Sequence, residues 1–333
     1  MKKIGLLLIC LLQLSCQSQP KEKINGVSFV ASREKATQAD VKPVLEVHAS
    51  YAAVMPFGFI RNLSSPEVIF DTDRQWFGET RKGAEQYIGI LKKNKIKVML
   101  KPQIWIWRGE FTGGLKMNSE SDWKVLEQDY EKFIMTYAEV AEQTSAEILC
   151  IGTELEQFVK NRPEYWKNLI KKIRAVYKGK LTYAANWDEY PRTSFWEDLD
   201  FIGIDAYFPL SEAKTPSVNS LRAAWQPHKE KIAALAATKN KPVLFTEYGY
   251  RSMDFTAKKP WLVDRNQMDV NFEGQANAQE AIFEEFWGEQ WFAGGFVWKW
   301  FLDHNSAGGA ECNRFTPQNK PAQIVLQQFY KMY

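Results

Sequence analysis

A single-domain (β/α)8 TIM barrel is the fold this sequence predicts, and three observations predict it. Eight short apolar runs alternate with amphipathic stretches along the chain. Most of the runs are continuous rather than alternating, as expected of parallel strands covered on both faces. The connections are lopsided, short before a run and long after it. That asymmetry suits a barrel, whose site is built at the carboxyl ends of its strands. An open doubly wound sheet is the competing architecture.

The chain begins with an address. Lys2 and Lys3 precede an apolar stretch over residues 4–14, followed by Ser15 and Cys16. A basic start, about ten apolar residues and a small residue before the cut describe a secretory signal. The stretch is too short for a mature membrane span. Cys16 after Leu14 and Ser15 resembles a bacterial lipobox, although Gln13 stands where that motif usually has Leu. The expected organisation is a signal over 1–15, lipidated Cys16 as first mature residue, a tether over 16–24 and the barrel over 25–333. The protein is then exported, and touches a membrane only through its N-terminal lipid anchor, on the periplasmic or cell-surface side.

The eight expected strands are 26–30, 52–57, 97–106, 148–154, 181–187, 201–207, 243–248 and 295–300. Between them, Trp123, Leu126, Tyr130, Phe133, Ile134, Tyr137 and Ala141 recur at helical spacing, with Ser121 as N-cap. Trp166, Leu169, Ile170, Ile173 and Val176 make another helical face, started by Pro163 and stopped by Gly179. A third helix is expected over 271–290. Only a short turn fits between the fifth and sixth strands, around 193–199. The long connections are 58–79, 107–121, 251–270 and 301–320.

Composition narrows the function. Lys and Arg number 43 against 40 Asp and Glu, interleaved to a net +3, which leaves no footprint for nucleic acid. His48, His228 and His304 are scattered and the four Cys form no CxxC, so no metal site and no cofactor are expected. No GxSxG surrounds a serine nucleophile. Cys150 reads as a buried thiol, with Cys312 its only conceivable disulfide partner. A monomer is expected.

Two carboxylates carry the chemistry. Glu154 ends the fourth strand and Glu247 the seventh, each directly after an apolar run. A carboxylate there is costly unless it is used or paired. Ion pairs with Arg251 or Lys299 are the structural alternative. Two such residues facing each other across a barrel mouth can instead break a glycosidic bond: one acid protonates the leaving oxygen, and one carboxylate attacks or activates water. Their environments must then separate their pKa values.

At this point particular runs resemble a known family. Asn25-Gly-Val-Ser-Phe29, Tyr51-Ala-Ala-Val-Met-Pro-Phe57, Ile151-Gly-Thr-Glu-Leu155, Thr246-Glu-Tyr-Gly-Tyr-Arg-Ser252, Val297-Trp-Lys-Trp300 and Phe315-Thr-Pro-Gln-Asn-Lys-Pro-Ala322 look like glycoside hydrolase family 113 of clan A. The resemblance implies retaining β-mannanase activity on β-1,4-linked mannan, glucomannan or manno-oligosaccharides. It implies Glu154 as acid/base and Glu247 as nucleophile. Tyr207 matches the clan's tyrosine that hydrogen-bonds the nucleophile, and Trp298 the aromatic floor at the cleavage point. Thr153 departs from the clan's common Asn before the acid/base, which fits an axial 2-hydroxyl such as mannose carries. A clan A hydrolase of another β-glycan and a non-catalytic glycan-binding lipoprotein are the alternatives.

Other residues surround this pair. Asn186, at the end of the fifth strand, contacts a sugar hydroxyl or caps a turn. Trp187 follows it into the presumed site. Asp205 reads as a buried structural acid. Lys101 and Lys299 point into the mouth or pair with the glutamates, Arg251 holds the nucleophile ionised, and Glu156 is at most a substrate contact. Of thirteen Trp, those at 123, 166, 225, 287 and 291 read as packing and Trp196 as neutral. Trp76, Trp105, Trp107, Trp187, Trp261, Trp298 and Trp300 fall at strand ends or in long loops. Trp298, then Trp105, are the first choices for stacking a sugar, with Trp300 sharing the face of Trp298.

Overall fold

The computed structural model describes residues 22–262 and 269–333. The expected signal, Cys16 and most of the tether lie outside them. The chain runs β1 (Ile24–Phe29), α1 (Gln38–Glu46), β2 (Tyr51–Val54), β3 (Phe57–Ile60), β4 (Ile69–Phe70), α2 (Arg81–Lys93), β5 (Lys97–Leu100) and β6 (Gln103–Ile106). It continues through α3 (Glu120–Thr144), β7 (Ile148–Thr153), α4 (Glu156–Asn161), α5 (Pro163–Val176), β8 (Lys180–Asn186) and β9 (Ile202–Asp205). It ends with α6 (Val218–Lys239), β10 (Val243–Tyr248), α7 (Phe272–Phe286), β11 (Phe292–Trp300) and α8 (Pro321–Met332).

Eight of these strands close a parallel barrel in the order β1-β11-β10-β9-β8-β7-β5-β2. Side chains from alternating positions fill its interior, among them Ile24, Ala53, Met99, Ile148, Cys150, Leu244 and Phe296. Outside the strands, helices bury a larger apolar layer that includes Trp166, Trp225 and Trp287. Between β8 and β9 only two 3-10 turns intervene, at Tyr190–Arg192 and Trp196–Asp198, as the sequence suggests.

The second and third strands differ from expectation. The runs 52–57 and 97–106 are each two strands, broken at Pro56 and Pro102. Proline has no N–H for the ladder, so it interrupts a central strand. Past the break, β3 and β6 leave the barrel and pair in parallel with each other, while β4 adds antiparallel to β3. A three-stranded sheet thus stands on the barrel's rim, and Trp105 belongs to it rather than to the barrel.

Smaller corrections follow from local hydrogen bonds. The N-cap of α3 is Ser119, whose Oγ accepts from the Asp122 N–H at 3.1 Å; Ser121 lies inside the helix. The first strand starts at Ile24, and Lys23 before it is buried with Nζ on the carbonyls of Glu289 and Phe292. Cys150 and Cys312 are both free thiols. The Trp298–Lys299 peptide is cis.

The seam between first and last strands is latched by α8. Tyr330 Oη donates to the Gly26 carbonyl at 2.6 Å and shares a 2.8 Å hydrogen bond with Tyr248 Oη. Asn25 donates to the Tyr330 carbonyl and accepts from Trp287 Nε1. At the same seam Gly294 has φ +120°, and a Cβ there would lie 2.3 Å from the Ile24 carbonyl oxygen. Gly89, exposed on α2, has nothing within 4 Å of its missing Cβ. Gly294→Ala is therefore expected to lower unfolding stability by about 2 kcal/mol or more. Gly89→Ala should raise it by roughly 0.5–1 kcal/mol. Urea denaturation of the two variants reads both signs.

Candidate active site

Glu154 follows the last residue of β7 with φ 51°, the left-handed region, which is uncommon for a side chain other than glycine. Its N–H donates to the Ala184 carbonyl at 2.8 Å. The next residue is fixed as well: the Leu155 N–H donates to Tyr183 Oη at 2.7 Å, and that hydroxyl donates to Glu189 Oε1 at 2.7 Å. Burial pushes the Glu189 carboxyl up to about 7. A buried network thus holds the turn that presents Glu154.

Glu247 lies in β10 and is buried. Three side chains donate to it. Lys101 Nζ is 2.5 Å from Oε1, Gln103 Nε2 is 3.0 Å from Oε1, and Tyr207 Oη is 2.7 Å from Oε2. Lys101 also reaches Asp205 at 3.3 Å, and Thr246 Oγ1 donates to Asp205 Oδ1 at 2.7 Å. Lys101 follows β5 and Gln103 opens β6, so Pro102 sits between two donors to one carboxylate.

The electrostatics separate the carboxyl groups. Burial, then the charges of Asp205 and Glu247, push Glu154 well above the usual carboxylate range, against the opposing pull of Lys101. Burial and Glu247 likewise raise Asp205 to about 7. Burial works against the charge of Lys101, but the carboxylates outweigh it and hold its pKa above the ordinary lysine value. Burial and Glu247 raise Tyr207, which keeps its proton for donation. The site therefore brings together a half-buried carboxyl that holds its proton more tightly than an ordinary glutamate and a second carboxyl met by three donors. Together these are the parts needed for proton donation to one atom and attack on another.

The remaining expected residues are distributed less evenly. Asn186 Nδ2 donates to Asp188 and its Oδ1 accepts from the Trp187 N–H, so its amide is engaged in the turn. Trp187 stacks on Trp261 with ring centres 5.1 Å apart. Trp298 is half-buried, with Lys299 Nζ 5.5 Å from its ring centre. Trp300 does not share its setting. It is fully buried and stacks on His304 at 5.6 Å, so its ring has no free face for a sugar. Trp105 is 49% exposed on the rim sheet.

Of the basic residues expected to pair with the glutamates, Lys101 holds Glu247, whereas Arg251 donates to Asn313 and Lys299 Nζ lies over the rings of Trp298 and Phe301; Glu156, expected as at most a substrate contact, pairs with Arg192. Sequence reasoning missed Gln103 as a partner of Glu247 and gave Thr246 no role beyond its place in the family-like run; a polar residue two positions after Lys101 is the available signal for Gln103. Among the described residues no group of His, Cys, Asp and Glu is arranged to hold a metal ion.

Removing the cation should expose the cost of this cluster. In Lys101→Met, Asp205 and Glu247 are buried without their positive partner, and the Asp205 carboxyl, already raised by burial and by Glu247, loses the opposing pull of Lys101. Such a group stabilises the fold below its ordinary pKa and loses that contribution as pH rises. The variant should lose about 3–5 kcal/mol near pH 7.5 and distinctly less near pH 4.5. Denaturant midpoints at the two pH values, set against the wild type, measure the difference.

A sequence profile described as Glycoside Hydrolase Family 113 matches residues 30–320. No curated protein sequence matches the chain. Among solved structures, one titled as a complex of a family 113 β-1,4-mannanase aligns with TM-score 0.81 at 22% identity, covering 94% of this chain and 100% of that one. The β-mannanase of Alicyclobacillus acidocaldarius aligns with TM-score 0.80 at 21% identity, covering 93% and 97%. A β-glucuronidase of Ruminococcus gnavus aligns with TM-score 0.58 at 14% identity, covering 88% of this chain and 46% of that one. At these identities the likeness is one of fold.

Proposed function

The chain belongs to glycoside hydrolase family 113, and from that premise we propose that it hydrolyses β-1,4-mannosidic linkages by double displacement with retention. Its enzymatic class follows from the family. The substrate is proposed from the titles of the β-mannanases whose fold it shares, and from Thr153 standing before Glu154.

In this reading Glu247 attacks the anomeric carbon as Glu154 gives its proton to the departing glycosidic oxygen. The carbon–oxygen bond breaks and a glycosyl ester forms on Glu247. Glu154, now a carboxylate, takes a proton from water, whose oxygen attacks the same carbon and releases Glu247. Both groups end as they began. The observation that carries the proposal is the contrast between the two. Glu154 is raised by burial and by negative neighbours, whereas Glu247 is met by Lys101, Gln103 and Tyr207. Retention further requires a carboxyl separation of about 5–5.5 Å. Trp298 is the proposed floor beneath the reacting sugar, with Trp187 beside the cleft.

A panel of β-mannan, glucomannan, β-glucan and manno-oligosaccharides tests the substrate class. Mannan turnover with β-configured first product is expected; turnover of β-glucan alone overturns the mannan reading. Glu154→Gln should lower kcat by about 10²–10⁴-fold on mannan, and Glu247→Gln should abolish turnover. Folded variants with near-normal rates would refute both assignments. Because Glu154 must be protonated for the first step, activity falls as pH rises through its raised pKa. The alkaline limb of kcat/KM should therefore lie well above about pH 4.5, the ordinary glutamate range.

Export is proposed on the N-terminal segment alone. Cys16→Ser should move the protein from the membrane fraction to the soluble fraction of its cell envelope. An unchanged distribution argues against a lipid anchor at that residue. No helix among the described residues is long and apolar enough to cross a membrane.

A further inference from the structure

Asp205 is a buried acid at the barrel's mouth for which the double displacement has no task. It ends β9 with no solvent exposure, and the sheet register sets it beside Asn186 of β8 and Glu247 of β10. Its carboxyl is held by two side chains. Thr246 Oγ1 donates to Oδ1 at 2.7 Å, and Lys101 Nζ lies 3.3 and 3.5 Å from its two oxygens.

The same ammonium lies 2.5 Å from Glu247 Oε1. One buried cation therefore serves two carboxyl groups, and the two compete for it. A cation that grips a carboxylate stabilises its lone pairs, which weakens it as a nucleophile and improves it as a leaving group. A charged Asp205 draws part of that grip away and repels the charge on Glu247 from the next strand. A protonated Asp205 does neither, and Lys101 then serves Glu247 alone.

We propose that Asp205 is a positioning residue for the reaction: by competing for Lys101 it sets how freely Glu247 attacks and how readily it leaves. The role rests on the double-displacement reading, in which Glu247 does both. Asp205 has no exposed surface and touches no substrate, so it acts through its neighbours.

Those neighbours make the competition adjustable. Lys101 reaches Asp205 from the end of β5, and Glu247 adjoins it from β10. Cys150 of β7, and Glu154, Glu189 and Tyr207 beyond the strand ends, feel its charge. Burial, then Glu247, raise Asp205 to about 7, against the pull of Lys101 and Thr246. Its proton is therefore exchanged near neutral pH rather than in the acid range of an ordinary aspartate.

The test uses dinitrophenyl β-mannobioside, whose leaving group departs as a stable phenolate and needs no proton from Glu154. kcat/KM then reports the attack by Glu247, and the burst of phenolate reports the balance between forming and breaking the glycosyl ester. Wild-type kcat/KM should rise roughly three- to thirtyfold with pH, through a step near pH 7. In Asp205→Asn the step should be absent, kcat/KM should stay at the wild-type low-pH level, and the burst should shrink. Thr246→Val should move the step to higher pH, because a carboxylate that loses a donor holds its proton more tightly. Thermal melting checks folding, and Thr246→Val carries the test if Asp205→Asn does not fold. A wild-type profile without the step, or a step unmoved in a folded variant, overturns the proposal and leaves double displacement standing. A uniform loss of rate with the step in place does so too, since that is what a merely structural role produces. An α-configured first product from the wild type overturns double displacement, and this role with it.

Discussion

One buried cation organises this site. Lys101 lies in the barrel's mouth with no solvent exposure and bonds both Asp205 and Glu247. None of the three could be buried alone, because desolvation costs several kcal/mol per ion. A unit pair about 4 Å apart in a medium of effective dielectric ~20 interacts by about 4 kcal/mol, enough to offset much of that cost once hydrogen bonds fill the remaining sites. Thr246 fills one on Asp205, while Gln103 and Tyr207 fill those on Glu247. The strand ends that bear these residues are thereby tied together across the mouth.

The same cluster sets the character of Glu154. Burial disfavours its charged form most, and its like-charged neighbours Asp205 and Glu247 add to that effect. The left-handed turn at Glu154 has a modest conformational cost, held in place by Tyr183 and Glu189 behind it. Two glutamates of identical chemistry thus differ by surroundings alone. One strand end offers a field of donors, and the other offers neighbours of the same sign.

Much of this was legible in the sequence, for reasons that can be named. Glu154 and Glu247 stand out because each ends an apolar run, where an ionisable group needs a reason to be. Lys101 was visible as a lysine in a strand, but not its choice of Glu247 and Asp205 over other partners, since barrel closure brings those strands together. The split of the second and third strands was written in Pro56 and Pro102, yet hydrophobicity continues past each proline and masks the break. Trp300 shows the limit of alternation: spacing groups it with Trp298, but packing against His304 removes its face from the cleft. Ser119 and Ser121 are equally good caps on paper, and only the Asp122 N–H distinguishes them.

The seam between β1 and β11 bears on how the chain reaches this state. The strand that leaves the ribosome early pairs on one side with β2, but its other edge is completed only by β11 and sealed by α8. Contacts of such high sequence separation carry a large loop-closure cost and are expected to form late. Until they do, β1 keeps an open edge, and such edges invite pairing with other chains. The hydroxyl pair of Tyr248 and Tyr330 is then a marker of ring closure as much as a structural bond: its formation reports that the barrel has no edge left to offer.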